Sequence, residues 1–249
     1  MKSVSILGVR LAAQRYGEAV DRLLDAAGSG IRLRVHFCNV HTLTEAQDNE
    51  SLRGVFESAG MLAMDGMPLV WVGRLRGARL AERVSGPDVM LSLCDRGRAL
   101  HLRHYFLGGE PGVPEALGAA LTERFPGLLV VGTESPPFRV MSPDEDAAMV
   151  HRVNASNPHI LWIGLGAPKQ EFWAADHEGQ LTVPLLLPVG AAFNFHSGKV
   201  RRAPRWMQRV GLEWLFRLAA EPRRLWRRYM ATNSRFLYLV AREEIARRR

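Results

Sequence analysis

Four short stretches of the chain combine residue types that can do chemistry. Asp65-Gly66-Met67-Pro68 sets a carboxylate beside an open glycine backbone, where a hydroxyl could approach and lose its proton to the carboxylate. The same aspartate could instead cap a helix opening at Pro68. Asn39-Val40-His41-Thr42 supplies a second polar group. Two glycine loops, Gly108-Gly109-Glu110-Pro111-Gly112 and Gly164-Leu165-Gly166-Ala167-Pro168-Lys169-Gln170, would let backbone N–H groups approach a phosphate, helped by the positive end of the helix that follows. The second carries Lys169 where a dinucleotide fingerprint has its third glycine, and no P-loop occurs. A tight turn would use the same glycines. Two such loops, with Lys169 and Gln170 in one of them, favour a nucleotide diphosphate over a dinucleotide.

Other signals have simpler readings. His101 and His104 lie three apart in an expected strand and would face opposite sides of a sheet, which argues against a joint metal site. Asp144-Glu145-Asp146 has the spacing some sugar transferases use for a divalent ion, but it follows Ser142-Pro143. It therefore reads as the acidic first turn of a helix. No Gly-x-Ser-x-Gly elbow is present, which argues against a serine hydrolase of the common α/β type. No metal ligands are assigned, and chemistry without a metal cofactor is expected.

The elements that must position these residues alternate. Strands are expected at 4–9, 33–38, 61–64, 102–107, 128–132, 160–164 and 183–189, and helices at 12–27, 42–59, 68–75, 87–98, 111–125, 144–155 and 169–180. This alternation predicts an α/β, Rossmann-like, mostly parallel sheet with helices on both faces. In such sheets ligands bind beyond the carboxyl ends of the strands, and the four stretches above all fall there.

Charge divides the chain further. Residues 199–249 hold 15 Lys and Arg against Glu213, Glu221, Glu243 and Glu244, while the rest carries 18 basic and 21 acidic residues. We expect an α/β core over 1–198 and a basic, amphipathic helical appendage over 199–249. Leu212, Leu215, Phe216 and Ala219 fall at helical spacing, with arginines and aromatics between them, the composition of a segment lying on an anionic membrane surface. Docking on the core and binding RNA compete with that reading, the second resting on charge alone. The two cysteines, Cys38 and Cys94, read as buried hydrophobes in a reducing compartment. No signal peptide or spanning segment is recognisable, so a cytoplasmic protein is expected.

Taken in order, the motifs resemble the WecG/TagA/CpsF glycosyltransferases, which build bacterial surface polymers. The matching stretches are Asn39-x-His41-Thr42, Asp65-Gly66-Met67, Glu82-Arg83-Val84-Ser85-Gly86, Gly108-Gly109 and Gly164-Leu165-Gly166-Ala167-Pro168-Lys169-Gln170-Glu171. They continue through Arg202-Ala203-Pro204-Arg205-Trp206, Leu212-Glu213-Trp214-Leu215-x-Arg217-Leu218 and Glu221-Pro222-x-Arg224, and so span nearly the whole chain. The resemblance implies inverting transfer of an N-acetylmannosamine-like sugar from a UDP-sugar donor to a polyprenyl-diphosphate-linked sugar acceptor. The place implied is the inner face of the cell membrane, in surface polysaccharide or teichoic acid synthesis. It implies Asp65 as base and Arg83 in the active site. Gln170 and Asn194 fall in the nucleotide region, with Asn39, Thr42, Gly108, Gly109, Gly164, Gly166 and Lys169 among the substrate-binding positions. Arg217, Arg224 and Arg227 are expected at the diphosphate. No nucleic-acid partner is expected, and a homo-oligomer is left open; the alternative is a nucleotide-fold protein binding nucleic acid through its tail. Two departures stand out. Relatives usually read Gly-x-Phe-Asp-Phe where this chain has Ala191-Ala192-Phe193-Asn194-Phe195, and Thr where it has Phe37. Both bear on the donor sugar rather than on the reaction.

Overall fold

The computed structural model describes residues 2–220 and 222–247, without the side chains of Arg224, Leu225 and Arg228. The chain opens with a hairpin of β1 (Ser3–Ile6) and β2 (Val9–Ala12), followed by α1 (Tyr16–Ser29), β3 (Leu33–Cys38), α2 (Val40–Glu45), α3 (Glu50–Glu57) and β4 (Met61–Met64). Helices α4 (Met67–Leu75) and α5 (Gly86–Arg96) lead to β5 (Arg103–Gly108), α6 (Val113–Arg124) and β6 (Leu129–Glu134). Then come α7 (Pro143–Ala155), β7 (Ile160–Gly164), α8 (Lys169–His177), β8 (Leu185–Pro188) and α9 (Ala192–His196). Three helices end the chain: α10 (Arg205–Arg209), α11 (Glu213–Ala220) and α12 (Pro222–Arg247).

The eight strands form one sheet in the order β1-β2-β4-β3-β8-β7-β5-β6, parallel throughout except for β1. The central strands are buried along nearly their whole length and read as continuous apolar runs, as a sheet covered on both faces requires. One face packs α1, α5, α6 and α9 around Phe106, Trp162 and Phe193. The other carries α2 and α3 over Leu43, Leu52 and Phe56, and α7 and α8 over Met149, Trp173 and Ile163. Both cysteines are free and buried in this framework.

Two expected elements divide. The strand expected at 4–9 is a hairpin, because Leu7 and Gly8 both take positive φ (52° and 76°) and reverse the chain. Leu7 tolerates that backbone because its side chain is buried and its N–H donates to the Glu243 carboxylate at 2.9 Å. Residues 9–12 thus extend the sheet, and α1 starts at Tyr16 rather than at residue 12. The helix expected at 42–59 is split: Asn49 accepts from the Leu52 N–H at 3.0 Å and starts α3 afresh.

The tail is tied to the core at its far end. Phe236 of α12 is buried in the same apolar cluster as Leu43 and Val70. The Arg76 guanidinium, nearly inaccessible to solvent, bonds Glu244 at 2.6 Å, Glu243 at 2.9 Å and the Ser5 carbonyl at 2.6 Å. Arg235 pairs with Asp48 in the turn between α2 and α3. Among the described residues no helix is long and apolar enough to cross a membrane.

Candidate active site

A cleft of about 1050 Å³ opens beyond the carboxyl ends of β3, β4, β7 and β8, with α4 and the tail helices as its outer wall. Asn39, Thr42, Asp65, Arg83, Gly109, Gly164, Gly166, Lys169, Gln170, Asn194 and Arg217 all line it. Phe37 lines it too. Of the remaining expected positions, Gly108 is buried and not in the lining, Arg227 stacks its guanidinium 5.3 Å from its neighbour Trp226 and is not in the lining, and the Arg224 side chain lies outside the described residues.

Asp65 follows β4, its N–H continuing the ladder to the Cys38 carbonyl at 2.8 Å. Gly66, not Asp65, is the N-cap of α4, and no side chain caps that helix. The carboxylate is therefore available to the cleft. Its Oδ1 lies 3.8 Å from Arg83 Nε. Arg83 in turn reaches Glu213 of α11 at 2.8 Å and Asp88 at 3.8 Å. Arg202 completes the cluster, bonding Asp88 at 2.5 and 3.1 Å and Glu213 at 3.2 Å. Burial pushes the Asp65 carboxyl up to about 8; Arg83 pulls it down, Glu213 and Asp88 push it up, and Arg202 pulls it down. Asp88 feels burial as well, but the Arg202 bonds outweigh it and hold that carboxyl below the ordinary aspartate range. The half-buried cluster thus raises one carboxyl, Asp65, and lowers another, Asp88.

The Asn39 and Thr42 side chains build the loop after β3. Asn39 Oδ1 accepts from the His41 and Thr42 N–H groups at 3.0 and 3.2 Å, and Thr42 Oγ1 accepts from the Asn39 N–H at 3.1 Å. This reciprocal cap fixes the start of α2 at the cleft floor. On the opposite side the two glycine loops touch. A Cβ on Gly108 (φ 124°) would stand 2.5 Å from the Gly164 carbonyl carbon, so only glycine lets the loops close to the 2.9 Å bond between the Gly109 N–H and the Gly164 carbonyl. Gln170, buried at the first turn of α8, accepts from the Gly166 N–H at 3.2 Å and donates to Glu171 at 3.0 Å. Glu171 is pushed up to about 7, mainly by burial, with Gln170 lowering it and Glu45 raising it. Asn194 projects from α9 into the same cleft, and Arg217 crosses from α11 with its guanidinium 5.8 Å from the Phe195 ring.

Glu213, Arg202 and Ser85 lie inside the motifs and Asp88 inside an expected helix, with no spacing to single them out, yet all four gather around Arg83. The available signal was the acidic Glu213 inside an arginine-rich tail, a residue with cations to answer. The residues of the two metal readings set aside in the sequence have other places in the fold. Asp144, Glu145 and Asp146 form the first turn of α7, whose N-cap Ser142 exchanges bonds with Glu145, and Asp146 meets His177 at 2.6 Å. His101 precedes β5 at positive φ and His104 is buried within it. Among the described residues no three His, Cys, Asp or Glu side chains form a metal-holding group.

The strand ends of this parallel sheet thus bring a carboxyl, two largely covered arginines and two glycine loops to one cleft. The chain belongs to the glycosyl transferase WecG/TagA/CpsF family, whose model matches residues 4–249. It is similar to a Bacillus spizizenii protein named N-acetylglucosaminyldiphosphoundecaprenol N-acetyl-beta-D-mannosaminyltransferase, at 29% identity over 202 residues, which is 81% of this chain and 76% of that protein.

Proposed function

We propose that the protein transfers an N-acetylmannosamine-like sugar, with inversion, from a UDP-sugar to a polyprenyl-diphosphate-linked N-acetylglucosamine. In its ionised form Asp65 takes the proton of the acceptor hydroxyl as the hydroxyl oxygen attacks the anomeric carbon from the face opposite UDP. The bond from that carbon to the diphosphate oxygen breaks, and UDP leaves with the electron pair. The observation that carries this reading is the state of Asp65: uncapped, facing the cleft, and raised by burial to about 8. A base of that strength suits a weakly acidic sugar hydroxyl. Gln170, Asn194, Lys169 and the glycine loops form the nucleotide side. Arg83 and Arg217, the two expected arginines that line the cleft, offset the diphosphate charge without a metal, bidentate Arg–phosphate pairing being strong and directional. The name of the Bacillus spizizenii relative supports the acceptor and the transferred sugar.

We read residues 199–249 as an appendage serving both the site and the membrane. Trp206, Trp226 and Tyr238 are exposed along it among its arginines, the pattern of an interfacial segment on the inner face of the cell membrane. The test is incubation with UDP-N-acetylmannosamine and a short-chain diphosphate-linked N-acetylglucosamine, followed by NMR of the product. A new glycosidic bond of configuration opposite to the donor's is expected; a retained configuration, or no transfer from any UDP-sugar, overturns the reading.

A further inference from the structure

The tail reaches the catalytic cluster through an anion as well as through its cations. Gly211, at φ 74°, lets the chain pass over α4: a Cβ there would stand 2.9 Å from Met67 Cβ and 3.1 Å from the Trp71 ring. Two residues later Glu213 enters the cleft and divides its carboxylate between two arginines, Oε2 to Arg83 Nη2 at 2.8 Å and Oε1 to Arg202 Nε at 3.2 Å. Arg83 is thus held by Glu213 through its Nη2, while its Nε meets Asp65 only at 3.8 Å. We propose that Glu213 is a positioning residue for the transfer: by bridging Arg83 and Arg202 it withholds the Arg83 guanidinium from Asp65 and keeps that carboxylate a strong base.

The charges facing Asp65 come from three segments: Arg83 from the loop before α5, Asp88 from α5 itself, and Arg202 and Glu213 from the tail. The buried Cys38 thiol lies beside it on β3. With all carboxylates ionised, three anions meet two cations, so one proton is retained most easily, and Asp65 is where it resides. Neutralising Glu213 would balance the cluster and free Arg83 to pair with Asp65. The base would then ionise at lower pH and pull less strongly on a hydroxyl. Docking of the tail thus sets the strength of a base that lies about 150 residues away in sequence, Glu213 against Asp65.

This inference rests on the reading of Asp65 as the base, and the experiment separates the two. The dependence of kcat/KM on pH is measured on a soluble short-chain acceptor for the wild type, Glu213→Gln, Arg202→Gln and Asp65→Asn. Glu213→Gln should move the acid limb down by ~1 pH unit and lower the plateau several-fold, and Arg202→Gln should move the limb up. Asp65→Asn should abolish it. An acid limb that vanishes with Asp65→Asn yet stays put in both other variants overturns the positioning role alone. Full activity of Asp65→Asn overturns both readings together. Either of the two shifted variants suffices if the other does not fold; loss of the fold in both would assign the bridge to stability and overturn the proposal.

Discussion

At Asp65, a position where the sequence leaves two readings open, the structure separates them. The aspartate could cap a helix or face the cleft, and the helix that follows is capped by neither it nor any other side chain. Its raised pKa also has a consequence for stability with a definite sign. The folded protein retains a proton up to about pH 8 that the unfolded chain releases near the ordinary carboxylate value of 3.8. The stabilisation from this group is therefore complete below that lower value and is lost as pH rises through about 8. Glu171, raised to about 7, acts in the same direction. Between about pH 5 and about pH 9 the melting temperature of the wild type should fall more steeply than that of Asp65→Asn, a difference thermal scans across pH would read. Equal slopes would show that Asp65 titrates as it does in the unfolded chain. The positions of Asp65, Gly166 and Gln170 at strand ends were legible because each follows an apolar run of fixed length. The cluster partners Asp88, Arg202 and Glu213 were not, since their meeting depends on how a distant tail returns over the sheet.

Among the elements, the parallel strands were the most legible, β3, β4 and β7 matching the expected bounds, because burial on both faces leaves an unbroken apolar signature. The hairpin was hidden because its turn uses Leu7 where asparagine, aspartate or glycine usually stands; the left-handed backbone is held by contacts with Glu243, 236 residues later. That remote contact belongs to the Arg76 clasp. Replacing Arg76 with Ala leaves Glu243 and Glu244 without their cation and should cost roughly 1.5–3 kcal/mol, seen as a lowered melting temperature and easier proteolysis of α12. An unchanged melting temperature would show that the clasp is solvated and weak. Nearer the site, Arg217 lines the cleft from α11. Arg217→Ala should reduce turnover even of a soluble, short-chain acceptor by about tenfold or more, as loss of a charge-assisted phosphate contact would. Turnover equal to wild type would confine the tail to anchoring.

On the scale of the whole molecule, the charge asymmetry read from composition resolves into separate uses. Arg202 and Arg235 are paired with acids of the core, and Arg217 faces the cleft. Arg247 is exposed at the end of the chain, beside Arg248 and Arg249, which lie outside the described residues. Neutralising these last three arginines should weaken sedimentation with anionic liposomes in a salt-sensitive way while leaving turnover of the soluble acceptor intact. Retention on RNA at physiological salt in place of liposomes would favour the nucleic-acid alternative.

The central claim, that Asp65 drives metal-independent transfer from a UDP-sugar to a diphosphate-linked acceptor, is tested most directly by UDP release with both substrates present and EDTA in excess. Release at full rate in the wild type that requires the acceptor is expected, with a rate at least ~100-fold lower in Asp65→Asn and UDP binding preserved. Full activity in Asp65→Asn, or an absolute need for Mg²⁺ or Mn²⁺ in the wild type, would contradict it.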